Sequence, residues 1–116
     1  MKTVVKPWGR ETWIAWTKKY MGKILIVKKG HRLSRQYHRK KDETLYMDGG
    51  KCIFEVGRRK VILKEGESIR LKPGTIHRIF AKFGDIKIIE TSTPHPNDRV
   101  RIDDDYGRKD SKHRGR

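Results

Sequence analysis

Acidic residues are scarce in this chain. Its 116 residues hold 14 Asp and Glu against 30 Lys and Arg, a formal net charge of +16. Cysteine is scarcer still: Cys52 stands alone, so no internal disulfide can form. It sits in an apolar strand pattern, which predicts a buried structural thiol. No apolar run approaches the length of a transmembrane helix, and no apolar stretch follows Lys2 to make a signal peptide. A cytoplasmic protein without membrane association is the expectation. Aromatic residues make up 9%, and no helix-turn-helix, zinc-finger or RNP pattern occurs, so base-specific nucleic-acid recognition is not expected. Long helical periodicity is also missing.

What the sequence does have is short β-branched runs between frequent turns. Residues 1–9, with Val4 and Val5 and then Pro7-Trp8-Gly9, read as a short edge strand and a turn. Strands are predicted at Glu11 to Thr17, Lys23 to Lys28, Arg32 to His38 and Thr44 to Met47. Asp48-Gly49-Gly50 is a hairpin signal. Further strands are predicted at Lys51 to Val56, Lys60 to Lys64, Ser68 to Leu71, His77 to Ala81 and Ile86 to Thr91. Thr93 to Asp98 reads as a loop. Many short strands with regular turns predict an all-β barrel or jelly roll. At this length the chain is expected to form one domain over residues 1–108, followed by a basic, disordered tail at 109–116. Trp8, Trp13 and Trp16 are expected to pack in the core or in a dimer interface.

Candidate chemistry lies in two segments. Gln36 and His38 alternate, so on a strand they share a face, and Glu43 follows a predicted turn at Arg39 to Asp42. A strand, a turn and a returning strand would bring Glu43 beside His38. His77 lies just past a Lys-Pro-Gly turn at Lys72 to Gly74. Two His, one Glu and one Gln make a divalent-metal set of nitrogen and oxygen ligands. That set suits zinc first, and also manganese, iron, cobalt or nickel. His31, His95 and His113 lack this context. His31 and His113 are expected to be solvated.

These segments resemble the two signature motifs of the cupin superfamily. Gly30, Gln36, His38, Glu43 and Gly49 or Gly50 fall at the spacing of the first, with Gln36 where a His usually stands. Gly66, Gly74 and His77 fit the second, with Lys72 at the usual Pro and Ala81 at the usual Asn. The run Leu33-Ser34-Arg35-Gln36-Tyr37-His38 is similar to the L-S-x-Q-x-H of type II phosphomannose isomerases. Lys6-Pro7-Trp8-Gly9 resembles that family's opening, and Asp98 to Arg108 resembles its closing I-V-R-x-E-D-x-Y-G-R. The resemblance spans about the first 108 residues. It implies a double-stranded β-helix, the cupin jelly roll. This chain departs from it at Arg39-Lys40-Lys41, where type II enzymes often carry a His-rich run, and the guanylyltransferase domain often attached to those enzymes is not expected here.

The resemblance also implies a function: metal-dependent interconversion of mannose 6-phosphate and fructose 6-phosphate. Gln36, His38, Glu43 and His77 would hold the metal. Arg101 matches the closing Arg and is the expected catalytic cation. Glu43 is one candidate for the base, with a metal-held hydroxide as the other. Lys23, Arg101, Tyr106 and Arg108 would bind substrate, and Arg35 would point away from the site. Two other readings stay open: a non-enzymatic metal-binding cupin that takes a sugar or a polyanion, and a sugar-nucleotide epimerase or ketoisomerase. A homodimer is expected, because three Trp in the first sixteen residues need burial. The positive charge either serves binding or is surface adaptation. If it serves nucleic acid, binding should be weak, non-specific and salt-sensitive, carried largely by Arg108, Lys109, Lys112, Arg114 and Arg116.

Overall fold

The computed structural model describes residues 1–108, so the predicted tail at 109–116 lies outside the described residues. Eleven strands and no helix form in that span. They are β1 (Lys2–Lys6), β2 (Gly9–Trp16), β3 (Met21–Val27), β4 (Arg35–His38), β5 (Glu43–Gly49), β6 (Lys51–Val56), β7 (Arg59–Lys64), β8 (Ser68–Leu71), β9 (His77–Phe80), β10 (Ile86–Ser92) and β11 (Arg99–Asp103). Among the described residues no helix is long and apolar enough to cross a membrane.

Two antiparallel sheets result. One has the order β1-β2-β3-β10-β5-β8, the other β11-β4-β9-β6-β7. From β3 onward the chain changes sheet at every connection except the β6–β7 hairpin. The expected jelly roll is therefore present, but one expectation within it changes. Glu43 does not return beside His38 as the second arm of a hairpin. β4 and β5 lie in different sheets, so the two side chains face each other across the interior.

Alternation explains the core. Leu25 and Val27 of β3, Ile86 and Ile88 of β10, and Leu45 and Met47 of β5 point inward from the first sheet. Cys52 and Phe54 of β6, Leu63 of β7 and Ile79 of β9 meet them from the second. Trp8 joins this core at 3% exposure, whereas Trp16 is 62% exposed and does not. Cys52 is fully buried, and burial pushes its thiol pKa up to about 12. The β5–β6 turn requires glycine at position 50. Its φ is +79°, and a Cβ there would stand 2.7 Å from the Asp85 carbonyl oxygen.

Two sequence expectations need adjustment. Only Arg35–His38 of the predicted Arg32 to His38 strand is regular, because Arg32 makes an isolated bridge to Phe80. The closing segment, read from sequence as a motif, forms the strand β11 and pairs with β4. The Phe54 ring packs within 6.1 Å of His77 as well as in the core. Phe54→Ala should cost about 3–5 kcal/mol of stability, measured by urea denaturation at neutral pH.

Candidate metal centre

The register of the second sheet lines up a row of polar side chains. Gln36 of β4 stands opposite His77 of β9 and opposite Arg101 of β11, and His38 stands opposite Arg99. Residues directly opposite share a face, and all five line one cavity. The first sheet answers with Lys23 of β3, which is opposite Glu90 of β10, and with Glu43 at the start of β5. Polar residues thus take over the inward positions at one end of the same strands that carry the core. The cavity they enclose opens to solvent and leaves about 60 Å³ of free space inside.

His38, Glu43 and His77 bring one ligand atom each to within 4.8 Å of one another, so this cluster could hold a metal ion. All three are buried. His77 Nδ1 donates to the Thr75 carbonyl at 3.0 Å, and His38 Nδ1 lies 3.3 Å from Asp98 Oδ1. A carbonyl or a carboxylate only accepts, so the proton of each neutral ring sits on Nδ1. Both Nε2 lone pairs then face Glu43 Oε2, His38 at 3.1 Å and His77 at 3.7 Å. Oε2 is itself buried with no hydrogen-bond partner. Three electron-pair donors turned toward one point repel unless a cation or an added proton lies among them. The donor set therefore fits a divalent ion.

Backbone contacts fix these residues. Asp98 Oδ2 accepts the Lys40 and Lys41 amides at 2.5 and 2.9 Å, which ties the β4–β5 connection to the loop before β11. The Gly74 amide donates to the His38 carbonyl at 2.7 Å, which ties the turn before His77 to β4. Gln36 Nε2 donates to the Ser34 hydroxyl at 3.0 Å and to the Ser34 carbonyl at 3.2 Å. That leaves the amide oxygen, the atom able to ligate a cation, outside those contacts.

The other predicted residues divide. Lys23, Arg101 and Arg108 line the cavity, and Tyr106 does not. The Tyr106 hydroxyl lies 2.6 Å from His31 Nδ1 and the two rings stack, so His31 is half-buried rather than solvated. Arg35 pairs with Glu55 and Asp103, both at 2.6 Å, away from the cavity. Arg108 is chelated by Asp104, and those hydrogen bonds hold the Asp104 carboxyl down to about 2. Sequence reasoning missed Lys6, Glu11, Lys41, Glu90 and Arg99, all of which line the cavity. For Glu90 a signal existed: it continues the inward alternation of Ile86 and Ile88.

Burial by itself would raise the Glu43 carboxyl. With an added proton on the imidazoles in place of a cation, the His38 hydrogen bond, then the Lys41 charge, then the charges of the protonated His38 and His77 outweigh it and hold the group down at about 2. Burial pushes His77 below its ordinary value of 6.5.

Comparisons with known proteins agree with this architecture. The family model described as mannose-6-phosphate isomerase C-terminal matches residues 1–104. No curated protein matches the chain. Among solved structures, KdgF from a Halomonas species is 21% identical, covering 82% of this chain and 87% of that chain with a TM-score of 0.75. An uncharacterised protein with a double-stranded β-helix domain from Klebsiella pneumoniae is 15% identical, covering 80% and 83%, with a TM-score of 0.72. Streptomyces Pac13, solved with uridine, is 18% identical, covering 89% and 84%, with a TM-score of 0.74. These likenesses show the fold.

Two outcomes check the centre. Purified, metal-supplemented protein should hold about one divalent ion per chain, and the His38→Ala, His77→Ala double variant close to none, by elemental analysis. In the metal-free protein both shifted groups have folded pKa values below their unfolded ones, so the unfolded chain binds more protons and stability rises with pH. Acidification should therefore lower the urea midpoint first below 6.5, through His77, and again from 4.5 to about 2, through Glu43. Glu43→Gln should shrink the second step, and what remains belongs to Asp104 and the other ion-paired carboxylates.

Proposed function

We propose that this chain, which belongs to the mannose-6-phosphate isomerase C-terminal family, is a metal-dependent aldose–ketose isomerase of phosphorylated sugars. Mannose 6-phosphate and fructose 6-phosphate are the proposed pair. The observation that carries this reading is convergence of positive charge on the metal-facing cluster. Among the described residues the cavity is lined by six basic side chains (Lys6, Lys23, Lys41, Arg99, Arg101 and Arg108) against three carboxylates (Glu11, Glu43 and Glu90). A polyanion-binding exterior would not need that charge inside.

In this assignment Gln36, His38, Glu43 and His77 hold the ion, zinc first and manganese, iron, cobalt or nickel as alternatives. Bound there, a divalent cation supplies polarisation of the substrate's carbonyl and hydroxyl oxygens. Arg101 and Arg99 stand opposite Gln36 and His38 across the β4–β11 ladder. From that row they present guanidinium groups to a phosphate, whose oxygens match their fork geometry. Lys23 is held by Glu11 at 3.6 Å and lies over the Trp13 ring at 4.5 Å, so it offers a fixed ammonium to sugar hydroxyls. A carboxylate held near 2 is a weak base. Glu43 is therefore better suited to holding the cation than to moving the proton between C1 and C2. Glu11 and Glu90 are the other described carboxylates lining the cavity.

A nucleoside substrate finds less support. The only described lining aromatic other than His38 and His77 is Trp8, which is 3% exposed and offers no free face to a base.

A coupled assay with a panel of hexose phosphates, with and without added metal, tests the reading. Turnover should require metal and should favour phosphorylated sugars over their free counterparts. Arg101→Gln should remove roughly 1.5–3 kcal/mol of charged hydrogen bonding, about a ten- to hundredfold loss in kcat/KM. The loss should fall on phosphorylated substrates. Turnover of sugar nucleotides alone would move the assignment to epimerase or ketoisomerase chemistry. Tight sugar binding without turnover would make the chain a binding module.

A further inference from the structure

Behind the metal-facing side chains runs a row of buried charges. Lys41 is 4% exposed, and its Nζ lies 2.6 Å from Glu90 Oε2 and 3.7 Å from Glu43 Oε1. Glu90 stands opposite Lys23, whose Nζ lies 3.6 Å from Glu11 Oε2. Trp13 Nε1 donates to that same oxygen at 2.7 Å. Signs alternate along the row from Glu43 to Glu11, and every member is at most 9% exposed. Burying an ammonium is expensive, and its partners must be fixed to offset that cost.

The row sorts the two oxygens of Glu43. Both imidazole Nε2 atoms face Oε2, at 3.1 and 3.7 Å, while the Lys41 ammonium faces Oε1. Lys41 is fixed at its backbone too, because its amide donates to Asp98, the residue that also holds His38 Nδ1. A carboxylate on a divalent ion can bind through one oxygen or two, and the second oxygen takes a coordination position from other ligands. Polarising both the C1 and the C2 oxygen of a substrate would call for two open positions at the ion. Were the ion six-coordinate and held by Gln36, His38, Glu43 and His77, two positions would be left only if Glu43 gave one oxygen.

We propose that Lys41, anchored by Glu90, is a positioning residue that keeps Oε1 of Glu43 from the ion and so preserves the positions the substrate occupies. This rests on the metal-centre reading above.

The test uses the cobalt-loaded full chain, its visible absorption and titration with thiocyanate as a small added ligand. Three variants are compared with the parent: Lys41→Arg, Glu90→Gln, and Lys41→Met combined with Glu90→Gln, which removes both buried charges together. The double variant should fold, bind one cobalt ion, show an altered cobalt spectrum and bind thiocyanate roughly tenfold more weakly, the scale of a lost outer-shell contact. Glu90→Gln alone keeps the lysine and should show a smaller loss of the same kind. Lys41→Arg should restore the parent response. A purely structural role would lower thermal stability and leave the thiocyanate response unchanged. Cobalt-loaded variants with the parent's spectrum and thiocyanate affinity overturn the positioning role and leave the metal centre standing. A parent that binds no cobalt removes both.

Discussion

Two imidazole lone pairs and one carboxylate oxygen turned toward a single buried point form the constraint around which this protein is arranged. Each of the three side chains is held from behind: His77 by the Thr75 carbonyl, His38 by Asp98, Glu43 by Lys41. None can turn away without leaving a buried polar group unpaired, which costs about 1–3 kcal/mol per group. The two-sheet architecture makes the convergence geometrically possible. Ligands on β4 and β9 face a ligand on β5 from the opposite sheet, so the point they share lies in the interior.

The rest of the charge follows from that point. Lys41 and Glu90, Lys23 and Glu11 are pairs that water would screen at the surface, where they would contribute little. Buried, each pair holds its partner's direction, because removing one member would strand the other. The surface shows the contrast. Lys28 with Asp85 and Arg70 with Asp42 are well-formed ion pairs with at least one largely exposed partner, and they join distant segments without lining the cavity. Position, more than the number of ionic groups, decides which of the chain's many charges shape its chemistry.

How much of this was written visibly in the sequence depends on whether a signal was local. Alternation and turn residues gave ten of the strands, and Gln36, His38, Glu43 and His77 stood out by spacing. The pairing of Arg99 with His38 and Arg101 with Gln36 was not legible, because register between strands some sixty residues apart leaves no local trace. Nor was the change of sheet between β4 and β5, since a short turn looks the same in a hairpin and in a crossover. Lys41 sits in Arg39-Lys40-Lys41-Asp42, a run read from sequence as a turn. Only the tertiary fold separates Lys41, which is buried, from Lys40, which is exposed. Tyr106 misled in the opposite direction: it belongs to a closing motif, yet its hydroxyl serves His31.

The strand β11 has a temporal consequence. It is the last strand described, and it docks on β4, the strand that carries Gln36 and His38. During synthesis the ligands at 36 to 77 all emerge before the residues that complete their wall. Until Arg99–Asp103 arrives, His38 has neither Asp98 to fix its tautomer nor Arg99 beside it. Closing such a distant pairing carries a large loop entropy, so this ladder belongs late in folding. A metal ion taken up at this centre would thus meet a nascent chain with loosely held ligands first and a finished cavity only afterwards. Loading would then be coupled to the final step of folding, and a chain truncated before β11 would lack the wall that fixes the ligands.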